Sequence, residues 1–453
     1  MRSASIPMID PAPAGALRRH EAAFLGSQRP WALALTALFV GLWPACVSTY
    51  EPQETPNPIR IGTTLPFSGE RAAAGVALER AMRLAIDTVN AAGGLGDQHQ
   101  RLALEVRDSH SAEDERGKDA TVTMMQETAI PFFIGPEEPE IAYAIANQVK
   151  TFKVTKLVNL LPGLSSPQIH DASTNAAWFR LSPSPIYLAC ALAKRMIKDG
   201  ITKANALTDP DDYSGTFATI FGRVFTNMGG TLLPGLQLPS SGSSFDEVFA
   251  TIERFSPDAS LLITSPSVGA GFLQEWAVRG KVGNFYLGPT LNDPALLRNV
   301  PAGVLEGLVG ISPDLGAHAE DFRAYFQNAT GFSPVAGSHY YFDAVALLAL
   351  AIADGVAQTK AIPDPGTFKL HLDGVSSASG QVVSFADLGT ALQLVSGGTK
   401  VQYDGAAGEY QLSKVGDSIG NRATLWRISD NSFLDIDHEQ CSDAEVLSDY
   451  GTP

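Results

Sequence analysis

The stretch Ile59–Ser109, IRIGTTLPFSGERAAAGVALERAMRLAIDTVNAAGGLGDQHQRLALEVRDS, reads as strand, loop, helix and strand. The apolar run Ile59, Ile61, Thr63, Leu65 ends at Pro66, Ser68 and Gly69, so backbone amides and one hydroxyl converge where a helix begins. That arrangement commonly holds a small ligand. Leu78, Met82, Ala85, Ile86 and Val89 recur at three- and four-residue spacings, with Glu79, Arg80, Arg83 and Asp87 among the remaining positions, which predicts a helix with one buried face. Gly93 and Gly94 provide the permissive backbone a helix end needs, and Leu102, Leu104 and Val106 alternate as a second strand before Asp108. The unit is β-α-β.

Toward the C-terminus the same alternation repeats. Residues 131–135, 154–161, 204–208, 259–264 and 285–288 read as strands, and helical patterns lie near 113–128, 139–151, 184–199, 214–228, 245–255, 269–279 and 319–328. Repeated β-α alternation predicts an α/β protein with parallel sheets covered by helices on both faces. The apolar run 338–356 carries Asp343 and Asp354 near its ends and is too short between charges for a lipid span, so a buried core helix is expected. Beyond Gly355 the pattern changes to Gly-rich turns and short strands at 382–385, 400–403, 423–428 and 432–436.

Toward the N-terminus, residues 31–43, WALALTALFVGLW, form an uncharged apolar run preceded by Arg18, Arg19 and Arg29 and followed by Pro44, Ala45 and Cys46. It is short for a bilayer span and reads as a secretory signal. The cysteine after Ala45 gives it the form of a bacterial lipoprotein signal over 1–45, with Cys46 lipidated and 46–58 a Pro-rich tether; cleavage near Ala45 with Cys46 as a bystander is the simpler alternative. The 453-residue length suits two lobes, and the formal charge of −16 argues against nucleic-acid binding, which needs a basic surface. Cys190 sits in a helix-like apolar run and reads as a buried free thiol; a disulfide to Cys441 is the alternative, and spacing does not decide between them. Residues 438–453 read as a polar tail.

Several motifs in order resemble the type I periplasmic binding proteins, specifically the leucine/isoleucine/valine-binding group that serves ABC importers. They are IGTTLPFSG with Gly75, NAAGGLG (90–96), Asp108, FIGP (133–136), LLPGLSSP (160–167), DPDDYSG (209–215), LGP (287–289), Tyr340 to Ala344, and DGAAG with LWRI near the end. The resemblance covers about 59–436. It implies two doubly wound parallel-sheet lobes joined by a three-crossing hinge, an N-terminal lobe of 59–182 plus 314–421 and a C-terminal lobe of 184–312 plus 422–437, with ligand held between them. Ser182-Pro183-Ser184-Pro185 and Ser312-Pro313 suit the crossings independently, because the residue before a proline favours extended backbone.

Carried over residue by residue, the resemblance implies first-lobe ligand contacts at Ser68, Gly69, Glu137, Glu138, Gly163, Leu164 and Ser165, and second-lobe contacts at Tyr213, Ser267 and Thr290. Two of these depart from the family's amino-acid binders. Glu137 and Glu138 replace small hydroxyl residues, and their charge opposes an anion; Thr290 replaces the acidic ammonium ligand. A cationic or polar neutral solute thus suits the chain as well as an α-amino acid. Simpler roles compete at each position: Glu137 and Glu138 as caps of the helix near Pro139, Tyr213 as loop packing, Ser165 and Ser267 as helix caps, and Arg71 as a solvated loop charge rather than a residue at the cleft mouth. Asp108 and Asp343 read as structural.

The sequence carries no GxSxG, GxxxxGK[ST] or strand-linked GxGxxG signature, and no histidines at metal-ligand spacing. No cofactor, metal or enzymatic activity is expected. The expectation is a periplasmic or surface lipoprotein, monomeric, that hands an amino acid, amide or cationic small molecule to an inner-membrane ABC permease. A sensor reporting to a receptor, or a family member that has lost ligand binding, is the alternative.

Overall fold

The computed structural model describes residues 57–442 and Glu445, except residue 70, 111–114, 139–140, 143–144, 146–156, 164–176, 240–243, 315, 377–378, 413–415, 417 and 419–421. The signal, Cys46, most of the tether and the expected helix at 139–151 fall almost wholly outside the described residues.

The opening unit forms as its pattern dictates. Strand β1 (Ile59–Leu65), helix α1 (Ala72–Ala91) and strand β2 (Leu102–Asp108) are followed by α2 (Glu115–Met125), β3 (Phe132–Ile134), β4 (Val158–Leu161) and β5 (Ala177–Arg180). These strands make one parallel sheet in the order β2-β1-β3-β4-β5. Leu78, Met82, Ala85, Ile86 and Val89 all face the core. Gly75 is required by contact, since a Cβ there would meet the Pro66 carbonyl at 1.9 Å. That contact seats the first turn of α1 against the loop that leaves β1.

The chain then enters a second core. Helix α3 (Pro185–Lys198) starts at Ser184, whose hydroxyl accepts from the Ile186 amide at 3.5 Å. After it come β6 (Lys203–Thr208), α4 (Asp212–Asn227), β7 (Thr231–Leu232), β8 (Leu236–Gln237), α5 (Asp246–Phe255), β9 (Ala259–Ile263), α6 (Pro266–Val278), β10 (Phe285–Leu287), α7 (Pro294–Asn299) and β11 (Val309–Pro313). The chain returns to the first core with α8 (Ala319–Thr330), α9 (Ser338–Thr359), α10 (Phe368–Val375), β12 (Gln381–Ser384), α11 (Leu388–Ser396), β13 (Val401–Gly405) and β14 (Gly408–Glu409). Strands β15 (Arg422–Ser429) and β16 (Ser432–Gln440) finish the second sheet, in the order β16-β15-β11-β10-β9-β6-β7 with β8 also on β6. Its inner strands are parallel and β15 and β16 are antiparallel additions.

The buried apolar residues divide between two bodies. One gathers 59–181 with 322–410 and a smaller cluster within 124–178; the other gathers 187–311 with 423–441 and a second cluster of 207–308 with 426–428. The chain therefore passes between them near 182–186, near 312–318 and between 411 and 422. Asp314, in the second passage, ties it to β15 and β16: its carboxylate lies 2.9 Å from His438 and 3.5 Å from Arg422.

Helix α9 is long and apolar enough to cross a membrane, yet it is buried between α1, α10 and α11, as expected of a core helix. Three expectations are corrected. The region beyond Gly355 is not built of turns and strands alone, because α10 and α11 pack Phe368, Leu372, Leu388 and Leu392 into the first core. Cys190 is not a free thiol but is bonded to Cys441. The polar tail does not begin at residue 438, since β16 continues to Gln440 and the disulfide anchors the next residue.

Candidate functional site

A cavity of about 450 Å³ opens between the two cores, walled by the C-terminal ends of strands and the loops that follow them. From the first lobe it is lined by Ser68, Gly69, Arg71, His110, Glu137, Glu138, Gly163 and Tyr341; from the second by Asp209, Asp211, Ser267, Thr290 and Asp293, among others. Seven of the ten expected contacts thus meet in one place: Ser68, Gly69, Glu137, Glu138, Gly163, Ser267 and Thr290. Leu164 and Ser165 lie outside the described residues.

Tyr213 does not line the cavity. It is 1% exposed and packs on Phe217 in the second core, with ring centroids 6.2 Å apart. The cause is local: Asp211 caps α4 by accepting from the Ser214 amide at 2.8 Å, and the first turn then points the ring inward. Asp211 and Ser214 take the cavity wall instead.

Arg71 is not a solvated loop charge. Its guanidinium forks onto both oxygens of Glu137, one at 2.7 Å, and its Nε reaches Asp293 across the cavity at 3.1 Å. Glu137 and Arg71 belong to the first lobe and Asp293 to the second, so one side chain joins the lobes away from the chain crossings. Burial opposes the arginine's charge, but Glu137 above all, then Asp293 and Glu138, raise its pKa beyond the ordinary value. It stays charged.

Glu138 behaves differently from its neighbour. It is 3% exposed; its Oε1 accepts from the Ser109 hydroxyl at 3.0 Å and its Oε2 has no partner. Burial first, and then the charge of Glu137, push its carboxyl up to about 8, against the opposing pull of Arg71. At neutral pH it is chiefly the neutral acid. The expectation that Glu137 and Glu138 together repel an anion is therefore modified: Arg71 matches the charge of Glu137, and burial favours the neutral form of Glu138. Gly163 sits under this pair, where a Cβ would press on the Glu137 carbonyl at 2.7 Å.

The second-lobe wall is hydrogen-bonded internally. Asp209 accepts from the Thr264 hydroxyl and from the Ser265 amide at 2.8 Å, and burial raises its pKa. Thr290 donates to the Thr264 carbonyl at 2.8 Å, and Ser267 lies 3.3 Å from Ser265. Asp293 caps α7 through the Ala295 amide at 2.7 Å and turns its other oxygen to Arg71. Thr290 lacks the acid expected after the LGP strand, but Asp293, three positions on, brings a carboxylate to the same cavity.

Ser68, His110 and Asp108 adjoin the cavity mouth. His110 Nδ1 is 2.9 Å from the Ser68 hydroxyl and 3.2 Å from Asp108. Both contacts fall on one ring nitrogen, so the ring cannot pass a proton from serine to carboxylate as a hydrolase triad does. Asp108 is a loop clamp, accepting from the Phe67 and His110 amides at 2.8 Å each. Burial opposes its charge, and those hydrogen bonds hold its carboxyl below the usual range. Among the described residues no group of three or more His, Cys, Asp or Glu is placed to hold a metal ion.

The sequence matches the periplasmic binding protein family over residues 58–414. The substrate-binding protein BasB of a chemotactic signal transduction system in Halobacterium salinarum is 24% identical over 368 residues, covering 79% of this chain and 84% of BasB. The fold is similar to that of the leucine-binding protein LivK from Thermotoga maritima, with a TM-score of 0.67 at 16% identity, covering 84% of this chain and 99% of that one. It is also similar to LivJ from Streptococcus pneumoniae in complex with isoleucine (TM-score 0.65, 15% identity, 85% and 99% covered). An R. palustris ABC-transporter solute-binding protein in complex with benzoate gives a TM-score of 0.64 at 17% identity, with 86% and 99% covered. The chain belongs to the periplasmic binding protein family and has its type I fold, that of the leucine/isoleucine/valine-binding group.

Proposed function

We propose that this protein is an extracytoplasmic, lipid-anchored solute-binding protein that closes two lobes on a small polar or amino-acid-like solute and delivers it to an ABC permease, without chemical turnover. The observation that carries this reading is the interlobe cavity itself. Its size suits a small solute, both lobes contribute polar groups, and the Arg71 to Asp293 pair crosses it. A wall assembled from two bodies grips when they close and releases when they part. The lipid anchor at Cys46 and the monomeric state rest on the sequence reading. Ligands named for relatives, leucine, isoleucine and benzoate, share a carboxylate beside an apolar group. Such a ligand is consistent with the corrected charge of the first-lobe wall.

A screen of thermal stability against amino acids, amides, aromatic acids, polyamines and short peptides tests this reading. A ligand at 100 times its dissociation constant adds about 2.7 kcal/mol of stability. Absence of any shift, together with no small molecule released from purified protein on denaturation, overturns it.

A sensing role is the second reading, favoured by the resemblance to BasB, a chemotactic substrate-binding protein. The two uses differ in partner, not in capture. Association of the ligand-loaded protein with a permease complex, or with a receptor ectodomain, separates them.

A further inference from the structure

Arg71 is the one lysine or arginine among the described residues that line the cavity, and it stands against five carboxyls: Glu137 and Glu138 from the first lobe and Asp209, Asp211 and Asp293 from the second. Two of them take up its guanidinium. Nη1 and Nη2 fork onto the two oxygens of Glu137, the second at 2.7 Å, and Nε turns to Asp293 at 3.1 Å. A planar cation with donors on three nitrogens is shared in this way between two acids; a lysine ammonium, a point charge, does not reproduce the fork.

The two acids are positioned by contacts that do not involve Arg71. Asp293 caps α7: its Oδ1 accepts from the Ala295 amide at 2.7 Å, which leaves Oδ2 for the arginine. The Glu137 backbone lies against Gly163, where a Cβ would come within 2.7 Å of the Glu137 carbonyl. Arg71, by contrast, stands at the N-cap position of α1 without a side-chain cap bond and reaches both acids through its long stem. The carboxylates are the fixed part and the guanidinium is the mobile part, a receptor and its ligand within one chain. We infer that Glu137 and Asp293 form a guanidinium subsite spanning the two lobes and that Arg71 is its built-in ligand, so that the lobes close on a cation the chain itself provides. Two carboxylates brought face to face oppose closure, and this cation removes the opposition. The subsite is independent of which solute the rest of the cavity takes.

An external guanidinium is excluded while Arg71 fills the subsite and is admitted once that side chain is cut back. Arg71→Ala therefore exchanges an internal ligand for an external one, and methylguanidinium is a small ion that keeps the fork of donors. Asp293→Asn removes the second-lobe charge but keeps the cap on α7, because the amide oxygen still accepts from the Ala295 N–H.

Small-angle scattering, thermal unfolding and calorimetric titration test the inference on the wild type, on Arg71→Ala and on Arg71→Ala combined with Asp293→Asn. Each is measured in methylguanidinium chloride and in tetramethylammonium chloride of equal concentration, a cation without N–H donors. Arg71→Ala is expected to bind methylguanidinium with a dissociation constant on the order of 1–10 mM, well inside the limit for so small an ion. Its enlarged radius should return toward that of the wild type, and its unfolding midpoint should rise by about 2 °C. Tetramethylammonium should do neither. The wild type should respond to neither salt, and the combined variant should bind methylguanidinium about tenfold more weakly and stay expanded. Circular dichroism establishes that each variant is folded; should Arg71→Ala fail to fold, Arg71→Gln, nearer in size and equally uncharged, takes its place. No binding to the folded variant, an equal response in the wild type, or an equal response without the Asp293 charge overturns the subsite. Binding that leaves the radius unchanged overturns closure by the cation. The solute screen decides capture separately, so either reading fails on its own evidence.

Discussion

Asp343 and Glu138 are both carboxyls buried in the first lobe, and the protein treats them in opposite ways. Asp343, on α9, receives four donors: the hydroxyls of Tyr403 and Tyr410 at 2.8 and 2.9 Å and the amides of Ala406 and Ala407 at 2.8 Å each. Glu138, at the cavity floor, receives one from Ser109. Burial raises both acids, but the four donors hold Asp343 to about 6 whereas Glu138 is left at about 8. The first is a knot fastening the β13–β14 hairpin to the core helix. The second has one buried oxygen without a partner, in a residue that lines the cavity. Counting donors separates an acid satisfied within the fold from one left with an unpartnered oxygen.

The largest expected effect is at the knot. Asp343→Ala leaves two phenols and two amides without an acceptor, and is expected to cost about 3–5 kcal/mol in urea denaturation. Glu138→Ala is expected to cost less than half as much. Equal losses would erase the contrast. Removing the Cys190 to Cys441 bond by a double serine substitution is expected to cost about 2–5 kcal/mol while leaving the Asp343 knot intact. Proteolysis under partial denaturation should then open the second lobe first; opening of the first lobe would contradict two separate cores.

Arg71→Ala comes next. It strands Glu137 and Asp293 in a partly exposed setting, with an expected cost of about 1–3 kcal/mol. It should also enlarge the scattering radius of the ligand-free protein, because an interlobe tie is gone. An unchanged radius would mean that the pair does not hold the lobes together.

A last comparison is read in the pH dependence of stability rather than in the cost of a substitution. Glu138 has a folded pKa above its unfolded value of 4.5, so its contribution is fully present below about pH 4.5 and is lost as pH rises through about 8. The stability difference between the wild type and Glu138→Gln should therefore drift in favour of the variant between those limits. Parallel curves would show that Glu138 is not held neutral.

Most of the fold was legible because it rests on local periodicity. The strands at 259–263 and 285–287 and the helices at 185–198 and 319–330 differ from expectation by a residue or two. Helices α10 and α11 were missed because they span only 8 and 9 residues among glycines and serines, too short for a period to stand out. In the site, Ser68, Glu137 and Thr290 were legible from motif order. Arg71 was not, because its partners stand 66 and 222 positions away. Tyr213 was misread for a related reason: an aromatic ring with a polar tip suits either a wall or a core, and the cap at Asp211 decides which. The pairing of cysteines 251 residues apart is likewise a property of the folded chain.

The placement of β15 and β16 also sets an order of assembly. The first lobe is complete in sequence by Ser418, whose amide bonds the β5 edge, but the second sheet needs Arg422–Gln440, and its covalent clasp needs Cys441. Until those residues emerge, β11 has a bare edge and Gly310 lacks the Trp426 ring that covers it. The lobe that begins second is also finished last. A chain cut short after residue 418 would keep the first half and leave the other open along an edge strand, a template for aggregation.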